Sequence, residues 1–157
     1  MSTCLFLIRG VQKIDCLRKD LVSFAMSVNF GINFYPIDIL LTHHQISLQT
    51  WDFVFSLCDS FELLGSCDCV LYPEGAPINA REHPLPFKER MLAIQQIAEI
   101  ALQHCGEVEL FLSDDNPYLP DFVVCNASCQ HVAETLEAHY TQSELPYDIP
   151  FIHMKIT

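Results

Sequence analysis

A chain of 157 residues, half of them hydrophobic and only 18% charged, is long enough to bury a sizeable core without disulfides or metal, and its composition excludes intrinsic disorder. Eight basic residues against twenty acidic ones leave a net charge of -12; after Arg90 no Lys or Arg occurs before Lys155, while Glu99, Glu107, Glu109, Asp114, Asp115, Asp121, Glu134, Glu137, Glu144 and Asp148 accumulate between them. Such a field repels nucleic acid and anionic lipid and attracts cations or basic proteins.

The apolar stretch Cys4 to Ile8 is too short to span a membrane and ends at Arg9. Positive charge follows that stretch rather than preceding it, the reverse of a secretory signal, so the expected location is cytoplasmic. Eight cysteines in a chain that needs no stapling read as reduced thiols; Cys4, Cys16, Cys58, Cys69, Cys105 and Cys125 lie in or beside apolar stretches, where a thiol packs like a small hydrophobe.

Taken in chain order, Cys4 to Ile8 reads as a buried strand. Ile14, Leu17, Leu21, Phe24, Ala25 and Val28 then recur at helical spacing opposite Lys13, Arg18, Lys19 and Asp20, with Asn29 to Gly31 as the stop. Ile37 to Leu41 follows Pro36 as an expected strand. A helix is expected from Ser47 or Thr50, with Trp51, Val54, Phe55, Cys58 and Phe61 on its apolar face. Val70-Leu71-Tyr72 reads as a short strand, and Tyr72 to Pro86 as a long proline-rich connection. The helix from about Pro86 to Cys105 carries the stripe Met91, Ile94, Ile97, Ala98 and Ala101, widened by Leu92, Ile100 and Leu102, with Gly106 as its left-handed stop. Glu107 to Leu112 alternates as a strand, Ser113 to Asp121 reads as a turn, and Phe122 to Cys125 as another strand. A helix capped by Ser128 would turn Val132, Leu136 and Tyr140 inward, and Phe151 to Ile156 closes the chain with Ile152, Met154 and Ile156 facing the core. Strands interleaved with helices imply an α/β or α+β fold: a single domain over 1–157 with a mixed central sheet and helices packed over it.

Catalytic and metal chemistry find little support. Cys67-Asp68-Cys69, His43-His44, and Cys125 with Cys129 and His131 lack the paired spacing of a zinc site, and strand alternation alone would set Cys67 beside Cys69. Asp114, Asp115, Asn116 and Asp121 lack the ligand spacing of a calcium loop. There is no nucleophile elbow, phosphate-binding glycine loop or zinc-protease helix motif. His104-Cys105 at a helix end reads as structural. No enzyme, metal, cofactor or nucleic-acid partner is therefore expected, and a thiol- or metal-dependent enzyme is the remaining alternative class. Tyr118, between Pro117 and Pro120 in an acidic turn, and Tyr147 beside Asp148 have no periodic pattern to draw them inward, so they suit an interface, whereas Trp51 suits the core.

A small acidic α/β chain with the segment Leu110-Phe111-Leu112-Ser113-Asp114-Asp115-Asn116-Pro117-Tyr118-Leu119-Pro120-Asp121 and a short closing strand Phe151 to Ile156 resembles the immunity proteins of bacterial contact-dependent growth inhibition and related polymorphic toxin systems. The resemblance implies a cytoplasmic inhibitor of a cognate protein toxin, of nuclease type in many such systems, whose basic surface it matches with carboxylates. The alternative is an acidic regulatory or adaptor domain binding another basic protein. For the toxin contact the expected residues are Asp114, Asp115, Tyr118 and Asp121 in the turn, with Glu134, Glu137, Tyr147 and Asp148 as further candidates that a solvated face explains equally well.

Overall fold

The computed structural model describes residues 2–35, 51–74, 83–114, 123–141, 149 and 151–157, without the side chains of Asp114 and Thr141. It is an α+β structure built on one six-stranded sheet in the order β2-β3-β1-β4-β6-β5. The elements are β1 (Ser2–Arg9), α1 (Ile14–Ser27), β2 (Gly31–Tyr35), β3 (Phe53–Cys58), α2 (Asp68–Leu71), α3 (Phe87–His104), β4 (Glu107–Asp114), β5 (Val123–Ala127), a 3-10 turn (Cys129–His131), α4 (Val132–Thr141) and β6 (Ile152–Ile156). All pairings are antiparallel except β5 with β6, which makes the sheet mixed.

Alternation sorts the side chains onto two faces. Cys4, Phe6 and Ile8 of β1 stand opposite Leu57, Phe55 and Phe53 on one side and Leu112, Leu110 and Val108 on the other, and Ile152, Met154 and Ile156 continue the row. This face packs against Leu17, Leu21 and Ala25 of α1, the Met91 to Ala101 stripe of α3, and Val132 and Leu136 of α4. Phe6 and Phe55 stack with ring centroids 4.9 Å apart at the centre. The opposite face holds a second cluster of Leu5, Leu7, Trp51, Val54 and Phe111 with Tyr35 at its margin, to which no described helix contributes. Burial on both faces explains why β1 and β3 are nearly continuous hydrophobic runs.

Several sequence expectations are overturned. The segment expected as a helix around Trp51, Val54, Phe55, Cys58 and Phe61 is β3: the run Phe-Val-Phe-Ser-Leu-Cys is buried throughout and fits a doubly covered strand as well as a helix face. Trp51 is core, as expected, but on the second sheet face. Val70-Leu71-Tyr72 is not a strand; Val70 and Leu71 belong to the single turn α2. β2 occupies Gly31–Tyr35, where only a helix stop had been read, while the strand expected at Ile37 to Leu41 lies outside the described residues. The left-handed residue after α1 is Asn29 (φ 58°). After α3, Gly106 is not left-handed, and Cys105 ends the helix in an extended conformation. The positive φ belongs to Gly10 (78°), where a Cβ would stand 3.2 Å from the Gly106 nitrogen, so the β1 end and the α3 end meet glycine against glycine. Ser113 and Asp114 extend β4 rather than opening the turn. Leu92 is exposed, while Ile100 and Leu102 are half-buried.

Candidate interaction surface

Of the residues expected at an interface, Asp114 is the last residue of β4, and Glu134 and Glu137 lie on α4, Glu134 exposed and Glu137 half-buried. Asp115, Tyr118, Asp121, Tyr147 and Asp148 lie outside the described residues. α4 turns Val132, Ala133 and Leu136 into the core, which leaves Glu134 on the side of the helix away from it and Glu137 half-buried at the flank. Ser128 does not cap an amide as expected: its hydroxyl pairs with His131 Nδ1 at 2.6 Å, and the 3-10 turn intervenes before α4.

β5 is the strand at one end of the sheet, and α4 follows it in the chain after the 3-10 turn. The Val123 amide donates to the Phe151 carbonyl and the Thr157 amide to the Ala127 carbonyl, both at 2.9 Å, so the odd-numbered residues of β5 bond inward to β6. Val124 and Asn126 therefore direct their amides and carbonyls away from the sheet. Val123 is 49% and Val124 64% exposed, the only large apolar residues of any strand left so open among the described residues. The sequence predicts a strand here but carries no signal that Val124 and Asn126 turn their backbone groups to the outside of the sheet.

Two polar constructions organise the interior. Asp59 Oδ1 accepts the amides of Cys69 (2.7 Å) and Val70 (3.3 Å) at the start of α2, while burial, the largest influence, holds its carboxyl above the ordinary range against those bonds. At the other end of α2, Arg90 is buried and gives Nη1 to the carbonyls of Cys69 (2.5 Å), Val70 (2.9 Å) and Tyr72 (2.8 Å), and Nε to that of Leu85 (3.0 Å). Its Nη2 lies 3.6 Å from Glu74, which also accepts the Phe87 amide at the start of α3. Tyr140 of α4 adds its hydroxyl to the Leu71 carbonyl at 2.5 Å. Donors converging on carbonyls with a carboxylate across from them form a structural clasp, and this explains why a one-turn helix forms where periodicity suggested a strand.

The thiols divide by burial. Cys4, Cys58, Cys67 and Cys69 are buried, Cys105, Cys125 and Cys129 half-buried, and Cys16, expected to pack, faces solvent from α1. Burial pushes Cys67 well up and Cys69 to about 11, values that disfavour the thiolate needed for nucleophilic attack or metal ligation. No group of three His, Cys, Asp or Glu side chains placed to hold a metal occurs among the described residues, the trio Cys125, Cys129 and His131 included. His43 and His44 lie outside the described residues. His104 pairs with Asp20 at 2.7 Å and ties α3 to α1, a structural role in keeping with expectation. On the second sheet face His153 Nε2 meets Glu109 Oε2 at 2.5 Å, a pairing that orients an imidazole, but no nucleophile bonds its other nitrogen among the described residues.

No family model, curated protein or solved structure matches this chain.

Proposed function

We propose that this chain is a cytoplasmic immunity protein that binds a cognate toxin domain with a basic surface and neutralises it. The observation that carries the reading is charge distribution. The sequence from 91 to 154 contains carboxylates without a single Lys or Arg, and on α4 Glu134 is exposed and Glu137 half-buried. Carboxylates so arranged supply association rate and register against a basic partner. Asp114 and Asp115, with Tyr118 and Asp121 in the following sequence, are the candidate centre of that contact. Among the described residues no helix is long and apolar enough to cross a membrane, which is compatible with this location.

The test is co-expression with the protein encoded beside this chain. Protection of the host and recovery of a stoichiometric complex are the expected outcomes. Charge reversal at Asp114 and Asp115 is expected to slow association, and to cost about 2–5 kcal/mol of affinity if they face desolvated cations. Failure to protect ends the immunity reading. A stable complex with some other basic protein, without protection, would instead establish the adaptor reading.

A further inference from the structure

We propose that the outer edge of β5 takes up an extended, basic segment of the partner protein as an added strand. This rests on the reading above, which supplies the partner's charge, and it specifies how that partner is held. An open edge offers unpaired amides and carbonyls to any extended chain, and folded proteins ordinarily blunt such edges with lysine, proline or a bulge. β5 has none of these: its sequence is Val-Val-Cys-Asn-Ala, and its register with β6 runs unbroken from Val123↔Ile152 to Ala127↔Ile156. Its outward backbone groups, at Val124 and Asn126, carry no bond among the described residues. At the opposite end of the sheet every residue of β2 is buried or half-buried, so among the described residues β5 is the end strand that exposes large apolar side chains.

Charge decides between a foreign strand and a second copy. A second copy would bring another net charge of -12 to an edge followed in sequence by Glu134 and Glu137 and preceded by Asp121. The one Lys or Arg in register with β5 is Lys155 of β6, which stands between Asn126 and Glu109. A strand with alternating lysine or arginine complements this edge: its apolar residues would line one face beside Val124, the more exposed of the two valines, its cations would take the other face, and its backbone would complete the ladder.

The probe is a short synthetic peptide of alternating lysine and valine, compared with its glutamate–valine counterpart and with a backbone N-methylated copy. The expected result is binding of the lysine peptide alone, with slowed hydrogen exchange at the Val124 and Asn126 amides. Val124→Pro removes an amide that points away from β6, so it leaves the β5–β6 ladder whole. It is expected to weaken the peptide by about tenfold or more. Val124→Lys keeps the amide and is expected to weaken the lysine peptide by adding like charge. Equal binding of the lysine peptide to wild type and Val124→Pro, or equal binding of the N-methylated copy, would overturn the edge as the site while leaving the basic-partner reading intact. Equal edge protection by the glutamate peptide would overturn the basic occupant, and with it the charge argument for function. Binding of neither peptide overturns the added strand, and co-expression then judges the function by itself.

Discussion

At the scale of single residues, His83 shows how hydrogen bonding fixes a protonation state. Its Nδ1 accepts the Leu85 amide at 3.0 Å, so the ring proton sits on Nε2 and is given to the Asn29 carbonyl at 3.1 Å. Protonating Nδ1 would break the first bond. Burial, aided by the nearby Arg90 and opposed by the Asn29 bond, accordingly lowers the histidine below its usual 6.5. A folded state that resists the proton is stabilised, relative to the unfolded chain, above that value, and this stability is lost as pH falls through the lowered one. Unfolding midpoints measured from pH 7.5 to 5 should therefore decline, and His83→Gln should flatten the decline; an identical slope in the variant would refute the assignment. Asp59 runs the other way, because burial raises its carboxyl. Its contribution is fully present below the ordinary carboxylate value of 3.8 and is lost as pH rises through the raised one. Near neutral pH, Asp59→Asn should then hold or raise stability, since an amide oxygen still accepts from Cys69 and Val70. Asp59→Ala should cost about 1–3 kcal/mol by orphaning those amides. Denaturant midpoints of the two variants that coincide would show that the carboxylate does not organise α2.

At the scale of elements, α3 is the piece on which both sequence and packing agree. Ile97 is fully buried in the core cluster that α3 shares with α1, α4 and the sheet, and Ile97→Ala should destabilise by about 2–5 kcal/mol through lost transfer energy and a residual cavity, measured by urea unfolding. A loss below 1 kcal/mol would mean the site collapses around the smaller side chain. α3 was legible because eighteen residues give several turns of one periodic stripe, with Pro86 at the start. β1, β4 and β6 were legible through alternation or continuous apolarity. β3 was not, because a six-residue run buried on both faces has no period to read. α2 was not, because its cause lies far away in the chain: Asp59 takes its first amides and Arg90 its last carbonyls. The same limit applies to the interaction surface. Acidic residues are countable in a sequence, and the inward spacing of Val132 and Leu136 agrees with the exposure of Glu134. That β5 is the end strand depends on strand order, and a one-dimensional pattern carries no strand order.

At the scale of the whole molecule, excess negative charge opposes compaction, because carboxylates concentrated on one folded body repel one another more than they do in an expanded chain. The compensating pairs are few among the described residues. Arg9–Glu107 is solvent-exposed, Glu74 meets Arg90 from an exposed position, and Asp20 and Glu109 meet only histidines. Added salt shortens the screening length from ~10 Å at 0.1 M to ~3 Å at 1 M, and here it removes more repulsion than attraction. The melting temperature should therefore rise with sodium chloride over that range, by a few degrees. Binding to a basic partner should respond in the opposite sense, its affinity falling with salt as complementary potentials are screened. One titration thus has two slopes of opposite sign, and reversing Glu134 and Glu137 to lysine should reduce both. A melting temperature that falls with salt would show that ion pairs outweigh the net charge in holding this fold, and an affinity indifferent to salt would remove the acidic surface from the binding mechanism.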